Sequence, residues 1–245
     1  MTPLALGLIA ALARDPDVRA CALDAGESAS TYLTKAFKYK NVTLRTGEAM
    51  TVAIAQTGCL AHNASARVLI YERSSDAYKL VLDEYSLPEE VDAGSDGTVT
   101  LATHESMDTI FEATYVWNGS KYAFSPGRSD LYDVGLQERR PYQMRVSFAP
   151  GTSSTVLNGS VALNFPADYV FKASTGQKVT VELLAHTGNI STADLWFGEK
   201  EIDTSDSTNW TVTLPNTGEF HLIVGGGTES DETRKSHYTI RLTIH

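Results

Sequence analysis

The sequence predicts an all-β protein made of two β-rich domains, on three observations. The closing segment Tyr238-Thr-Ile-Arg-Leu-Thr-Ile244 puts Tyr238, Ile240, Leu242 and Ile244 on one face and Thr239, Arg241 and Thr243 on the other. A strand with one buried face has this period of two. Short runs of the same kind recur from residue 143 onward, cut by turn residues such as Pro215-Asn216-Thr217-Gly218. Helical periodicity is almost absent from that stretch.

Taken in chain order, Leu4 to Ala13 is an apolar run of export-signal length, and Ala20-Cys21-Ala22 matches a small-residue cleavage pattern. Residues 1–22 are therefore expected to be a signal peptide of an exported protein, periplasmic or secreted. The fit is imperfect, because no Lys or Arg precedes the run and Arg14, Asp15 and Asp17 follow it. A short N-terminal helix is the other reading. No segment is apolar enough to span a membrane as a helix.

Residues 23–142 are expected to form the N-terminal domain. Met50, Val52 and Ile54 alternate with small or polar neighbours, and Arg67–Tyr71 and Tyr78–Leu82 read as a hairpin through Ser74-Ser75-Asp76. Asp92-Ala-Gly-Ser-Asp-Gly97 is a turn cluster before the strand Thr98–Ala102. In Phe111–Phe124, Asn118-Gly119 predicts a two-residue hairpin loop. That loop sets Trp117 against Ser120, Tyr115 against Tyr122 and Ala113 against Phe124. Phe111, Tyr115, Trp117, Tyr122 and Phe124 then share one face, expected to be core.

Ser125-Pro-Gly-Arg-Ser-Asp130 and Glu138-Arg-Arg-Pro141 bracket a stretch without period, where the domain boundary is expected. Residues 143–245 form the C-terminal domain. Its strands are expected near 143–148, 161–165, 169–173, 179–184, 195–197, 209–214, 220–224 and 238–244, with Leu157-Asn-Gly-Ser160 as a second hairpin turn. About eight short strands in this length suit an antiparallel sandwich or jelly roll.

Composition narrows the function classes. The net charge is −10, so a nucleic-acid partner is not expected, since phosphate neutralisation needs a basic surface. A basic partner is drawn toward such a protein. Cleavage after Ala22 leaves Cys59 alone, whereas an uncut chain could bridge Cys21 to Cys59 in an oxidising compartment. Asn41, Asn63, Asn118, Asn158, Asn189 and Asn209 stand in N-x-S/T sequences. Turn chemistry and abundant Ser and Thr account for these better than glycan attachment does.

No motif for nucleophilic, phosphate-binding or metal-assisted chemistry occurs. No catalytic residue, metal ligand or cofactor is nominated. Asp92–Gly97 has some oxygen donors of a calcium loop, but Gly94 holds the middle ligand position and a plain turn is expected. The long connection from Gly225 to His237 carries Arg234, Lys235 and His237 on an otherwise acidic chain. These three are the candidate binding residues, because a protruding basic side chain can enter an acidic cleft.

Certain residues carry a family likeness. Val146-Ser-Phe-Ala-Pro-Gly151, Leu157–Ser160, Tyr169–Leu183, Trp210–Phe220 and Tyr238–Ile244 resemble the bacterial periplasmic inhibitors of g-type and i-type lysozyme. They are also similar to the pre-peptidase C-terminal β-sandwich domain. The first resemblance implies a periplasmic protein, not an enzyme, that blocks a basic lysozyme by inserting loop side chains, here those near Arg234 and Lys235. The second implies an accessory or cell-wall-glycan-binding module without inhibitory activity. About 120 residues precede the similar part, and inhibitors of this family are usually single-domain. A hydrolase with its site in the N-terminal domain is the third reading.

Overall fold

The computed structural model describes residues 6–45, 48–62, 65–74, 77–88, 91–94, 96–162, 165–226 and 235–245. The chain is all-β; among the described residues its α-helices lie only near the start, and a single 3-10 turn follows at Pro126–Arg128. It divides into two compact units. The first comprises Met1–Glu105 and Phe111–Pro126; the second comprises Ser106–Ile110 and Gly127–His245.

The first unit opens with helices α1 (Leu6–Leu12), α2 (Pro16–Asp24) and α3 (Ala29–Ala36). Its strands are β1 (Phe37–Arg45), β2 (Glu48–Ala55), β3 (Ala61–His62), β4 (Ser65–Ser74), β5 (Ala77–Ser86), β6 (Val91–Ala93), β7 (Val99–His104), β8 (Thr109–Trp117) and β9 (Tyr122–Phe124). β1, β2 and β4 lie side by side, and β4 also pairs with β5 and β3. A second sheet runs β6, β7, β8, with β9 on β8. The expected hairpin 67–82 is present as β4–β5; Ser75 and Asp76 of its turn lie outside the described residues.

The segment expected to be an export signal is folded into this unit from Leu6 onward. Leu8, Leu12, Val18, Cys21 and Ala22 are buried in the same core as Leu33, Val68, Leu69 and Ile70. Asp15 caps α2, accepting from the N–H groups of Asp17 and Val18, which satisfies donors that a helix start leaves open. Ser28 caps α3 in the same way through Thr31. Cys21 is joined to Cys59 by a disulfide across 38 residues. Cleavage after Ala22 and this bridge exclude each other.

Arg67 fastens the helices to the sheet. It is buried, and its guanidinium donates to both carboxylate oxygens of Asp15 at 2.9 Å and to both of Asp83 at 2.8 Å. Asp17 adds a contact at 3.1 Å from a more exposed position. The Asp83 and Asp15 hydrogen bonds hold the guanidinium proton more tightly than in water, against the opposing cost of burial.

The aromatic hairpin forms with a different register. Trp117 pairs with Tyr122 and Tyr115 with Phe124. The loop is four residues long: Asn118 Oδ1 accepts from the N–H groups of Ser120 and Lys121, and Asn118 N–H donates to Lys121 O. The shift from the expected pairing is two residues, and an even shift leaves every side chain on its face. Tyr115 and Tyr122 are buried, and Phe111 and Trp117 pack against the same core. Phe124 remains 43% exposed.

The second unit contains β10 (Asp130–Asp133), β11 (Glu138–Pro141), β12 (Met144–Arg145), β13 (Ser154–Val161), β14 (Ala167–Ala173), β15 (Lys178–Thr187), β16 (Ile190–Phe197), β17 (Lys200–Ile202), β18 (Trp210–Thr213), β19 (Gly218–Gly226) and β20 (Ser236–Ile244). β10 pairs with β11. The remaining strands make a sandwich, one sheet ordered β12-β14-β19-β16-β17 and the other β13-β20-β15-β18. Phe171, Leu195, Phe220, Leu222 and Val224 of the first sheet share a core with Val179, Val181, Ile240 and Leu242 of the second. Trp210 on β18 donates its indole N–H to Ala193 O on β16 at 2.8 Å. This satisfies the polar end of a buried ring.

β20 buries Tyr238, Ile240, Leu242 and Ile244, as the alternation required. Three expectations are corrected. Leu157-Asn-Gly-Ser160 is not a turn: β13 runs straight through it, paired with β20 along its whole length. The strand expected over 161–165 is instead this earlier one, and Ala162 and Phe165 form only an isolated bridge. The sandwich is also not wholly antiparallel, since β12 runs parallel to β14.

Candidate functional site

Two of the three candidate residues, Lys235 and His237, lie at the end of the sandwich where β20 begins. Arg234 lies outside the described residues. Lys235 precedes β20, and His237 is its second residue. Strand alternation turns both outward and buries Ser236 between them. Ser236 Oγ accepts from the N–H of Asn189 at 2.9 Å. This ties the base of the connection to the β15–β16 turn. Gly188 in that turn has φ +74°, and a side chain there would collide with Ser236 Oγ.

Lys235 does not stand free. Its ammonium forms an ion pair with Glu138 of β11. His237 is exposed and sits in register with Ser160 of β13 on one side and Thr187 of β15 on the other. His186, one position back on β15, is exposed as well and contacts Gly188 O through Nδ1 at 3.1 Å. Among the described residues, exposed groups at this end include the two imidazoles and the paired lysine, with His186 in register with the buried Tyr238 and not with His237.

Beneath them lies a polar cluster that sequence reasoning did not single out. Arg140 stacks over the Phe165 ring at 3.7 Å and donates through Nη1 to Ser160 O at 3.2 Å. Its Nε and Nη2 are buried without a hydrogen-bond partner among the described residues. Burial pushes its pKa down to about 10, against the pull of Tyr238, Glu138, Tyr169 and Asp133. Tyr169 and Tyr238 share a buried hydroxyl–hydroxyl bond of 2.7 Å, and burial raises the pKa of both. The one sequence signal here is Glu138-Arg-Arg-Pro141, which by composition marks only a domain boundary.

Elsewhere, His221 and Asp168 pair across β19 and β14 at 3.0 Å. Burial raises the Asp168 pKa, an effect opposed by the His221 bond. At the calcium-like fragment, Ser95 lies outside the described residues. Asp96 Oδ1 accepts from the N–H and hydroxyl of Thr98, and Gly94 N–H donates to Thr98 O. The fragment is a turn. Among the described residues no group of His, Cys, Asp and Glu could hold a metal ion. No described helix is long and apolar enough to cross a membrane.

Several of the N-x-S/T asparagines have structural work. Asn41 accepts from the Thr51 hydroxyl, Asn158 from the Thr239 hydroxyl, and Asn209 from the N–H of Leu183. Asn63 lies outside the described residues.

No protein-family model matches the chain, and no curated protein matches it. Among solved structures, the chain is similar to the PliG periplasmic inhibitors of g-type lysozyme. The Aeromonas hydrophila protein is 22% identical, with 42% of this chain and 96% of that one covered and a TM-score of 0.35. The Salmonella Typhimurium protein is 24% identical, with 42% and 97% covered and a TM-score of 0.34. A mutant of the Escherichia coli protein is 22% identical, with the same coverage as the Salmonella protein and a TM-score of 0.35.

Proposed function

We propose that this chain is an exported binding protein, not an enzyme, and that its partner is a basic, lysozyme-like protein held at the β19–β20 end of the sandwich. The observation that carries the reading is the placement of His237, His186 and Lys235 around the base of a long connection on a chain of charge −10. The acidic body would attract the partner over a distance, and side chains of the connection would enter its cleft. Because Lys235 is neutralised by Glu138, the inserted charge in this reading belongs to Arg234. The Cys21–Cys59 bridge supports export, since disulfides persist in oxidising compartments.

The test is an inhibition assay of the full chain against c-, g- and i-type lysozymes. Inhibition of at least one class is expected, weakened more than about tenfold by Arg234→Ala, as for truncating a central interfacial charge. Unchanged inhibition by that variant removes the connection from the mechanism. Binding to peptidoglycan with no effect on any lysozyme replaces the reading with that of a wall-binding accessory module.

A further inference from the structure

The sheet β13-β20-β15-β18 ends on β13. The phase of this edge is set by neighbouring hydrogen bonds. Ile244 N–H donates to Ser153 O, and Lys178 and His245 exchange bonds on the β15 side. Alternate residues of β20 therefore serve β13 and β15. Thr155, Leu157, Gly159 and Val161 bond to β20, while Ser154, Val156, Asn158 and Ser160 turn their N–H and C=O groups away from the sheet. Ser160 O is taken by Arg140, and Ser154 O accepts from the Thr152 hydroxyl at 3.4 Å. The main-chain groups of Val156 and Asn158 have no partner among the described residues.

Edge strands of monomers are normally protected by charge, proline, a bulge or shortness. β13 has none of these. It is eight residues long, Ser-Thr-Val-Leu-Asn-Gly-Ser-Val, and pairs with β20 without a register break. Val156 is 49% exposed at its centre.

We propose that β13 is a docking edge for a second copy of this chain, paired antiparallel about a two-fold axis at Val156. In that register Val156 meets its own equivalent, and Ser154 faces Asn158 on each side. Six main-chain hydrogen bonds then form, and the one carbonyl Arg140 already holds is left alone. The strand's self-complementarity selects a copy over a foreign segment: the central apolar side chain finds an apolar side chain, and no charge lies on β13 to choose a partner of opposite sign. The nearest charges, Arg241 beside Val156 and Glu182 beyond it, already neutralise each other at 3.2 Å. The result is a continuous eight-stranded sheet. A contact this narrow falls below a standard interface of ~1,600 Å², so the dimer is reversible. Two bodies of charge −10 repel, so added salt strengthens it.

Sedimentation equilibrium of the full chain, across concentration at low and high salt, tests this together with Val156→Lys and Val156→Pro. Both substitutions alter an exposed side chain or an outward N–H and remove no bond to β20, so the melting temperature should hold. The expected result is a monomer–dimer equilibrium favoured by salt and weakened at least ~10-fold in both variants. If Val156→Pro fails to fold, Val156→Lys alone decides. A chain that stays monomeric at every concentration and salt overturns the proposal. So does a dimer that Val156→Lys leaves intact.

Discussion

Gly159 on β13 stands opposite Tyr238 on β20, and the tyrosine hydroxyl fills the space a side chain at 159 would need. Tyr169 Oη closes the same space from the other sheet, 2.9 Å from where a Cβ would sit. The glycine is required by close approach and not by a turn. The buried tyrosine pair is the reason an Asn-Gly step lies in the middle of a strand.

Gly159→Ala should therefore destabilise the second unit. Overpacking a filled interior costs about 1–3 kcal/mol. Chemical denaturation of the two proteins measures it; equal midpoints would mean the tyrosines yield without cost.

Arg67 and its carboxylates make a graded prediction. Removing the cation leaves the buried Asp15 carboxylate without its ion partner, so Arg67→Met should cost about 3–5 kcal/mol, the range for breaking a buried pair. Asp17 reaches the same guanidinium from a position 64% exposed. Asp17→Asn should cost less than about 1 kcal/mol, as exposed ion pairs do. Equal losses in urea titrations of the two variants would show that the guanidinium is not the clamp described.

The N-terminal segment gives a third test. A chain starting at Leu23 lacks Leu8, Leu12, Val18 and the partner of Cys59, all part of one core. It should melt well below the full chain and expose one reactive thiol. The bridge alone should account for about 2–4 kcal/mol, so Cys59→Ala in the full chain should reproduce only part of the loss. A truncated chain as stable as the full one would mean that residues 1–22 contribute nothing to the fold.

Arg140 gives a fourth. A buried guanidinium with two nitrogens unpartnered among the described residues should pay a desolvation penalty larger than stacking on Phe165 and one bond to Ser160 O return. Arg140→Met keeps the stack's bulk and removes the charge, and should leave stability unchanged or raise it. A marked loss on thermal melting would mean that those nitrogens are satisfied in solution.

Where a structural feature is local, the sequence was readable. The alternation of Tyr238–Ile244 predicted β20 residue by residue, because period two is written into one strand. The aromatic face of β8 and β9 was found although the Asn118 loop was two residues longer than expected, because an even shift preserves the face. Features joined across the chain were not legible. Asn158-Gly159 carries the same local signal as Asn118-Gly119, and only Tyr169 and Tyr238, distant in sequence, decide between strand and turn. The run Leu4–Ala13 has the composition of an export signal and also of a core helix; Arg67 and Cys59, which hold its neighbours, lie far downstream. The pairing of Lys235 with Glu138 was not legible, because nothing near Lys235 in sequence reveals its partner.

The central claim is that an acidic sandwich recognises a basic partner through the β19–β20 connection. It is tested most directly by the dissociation constant of the full chain with a g-type lysozyme, measured by titration calorimetry over a range of salt. Binding that weakens as salt rises and is at least ~10-fold weaker for Arg234→Ala is the predicted outcome. No measurable heat at low salt, or an affinity indifferent to both salt and Arg234→Ala, would contradict it.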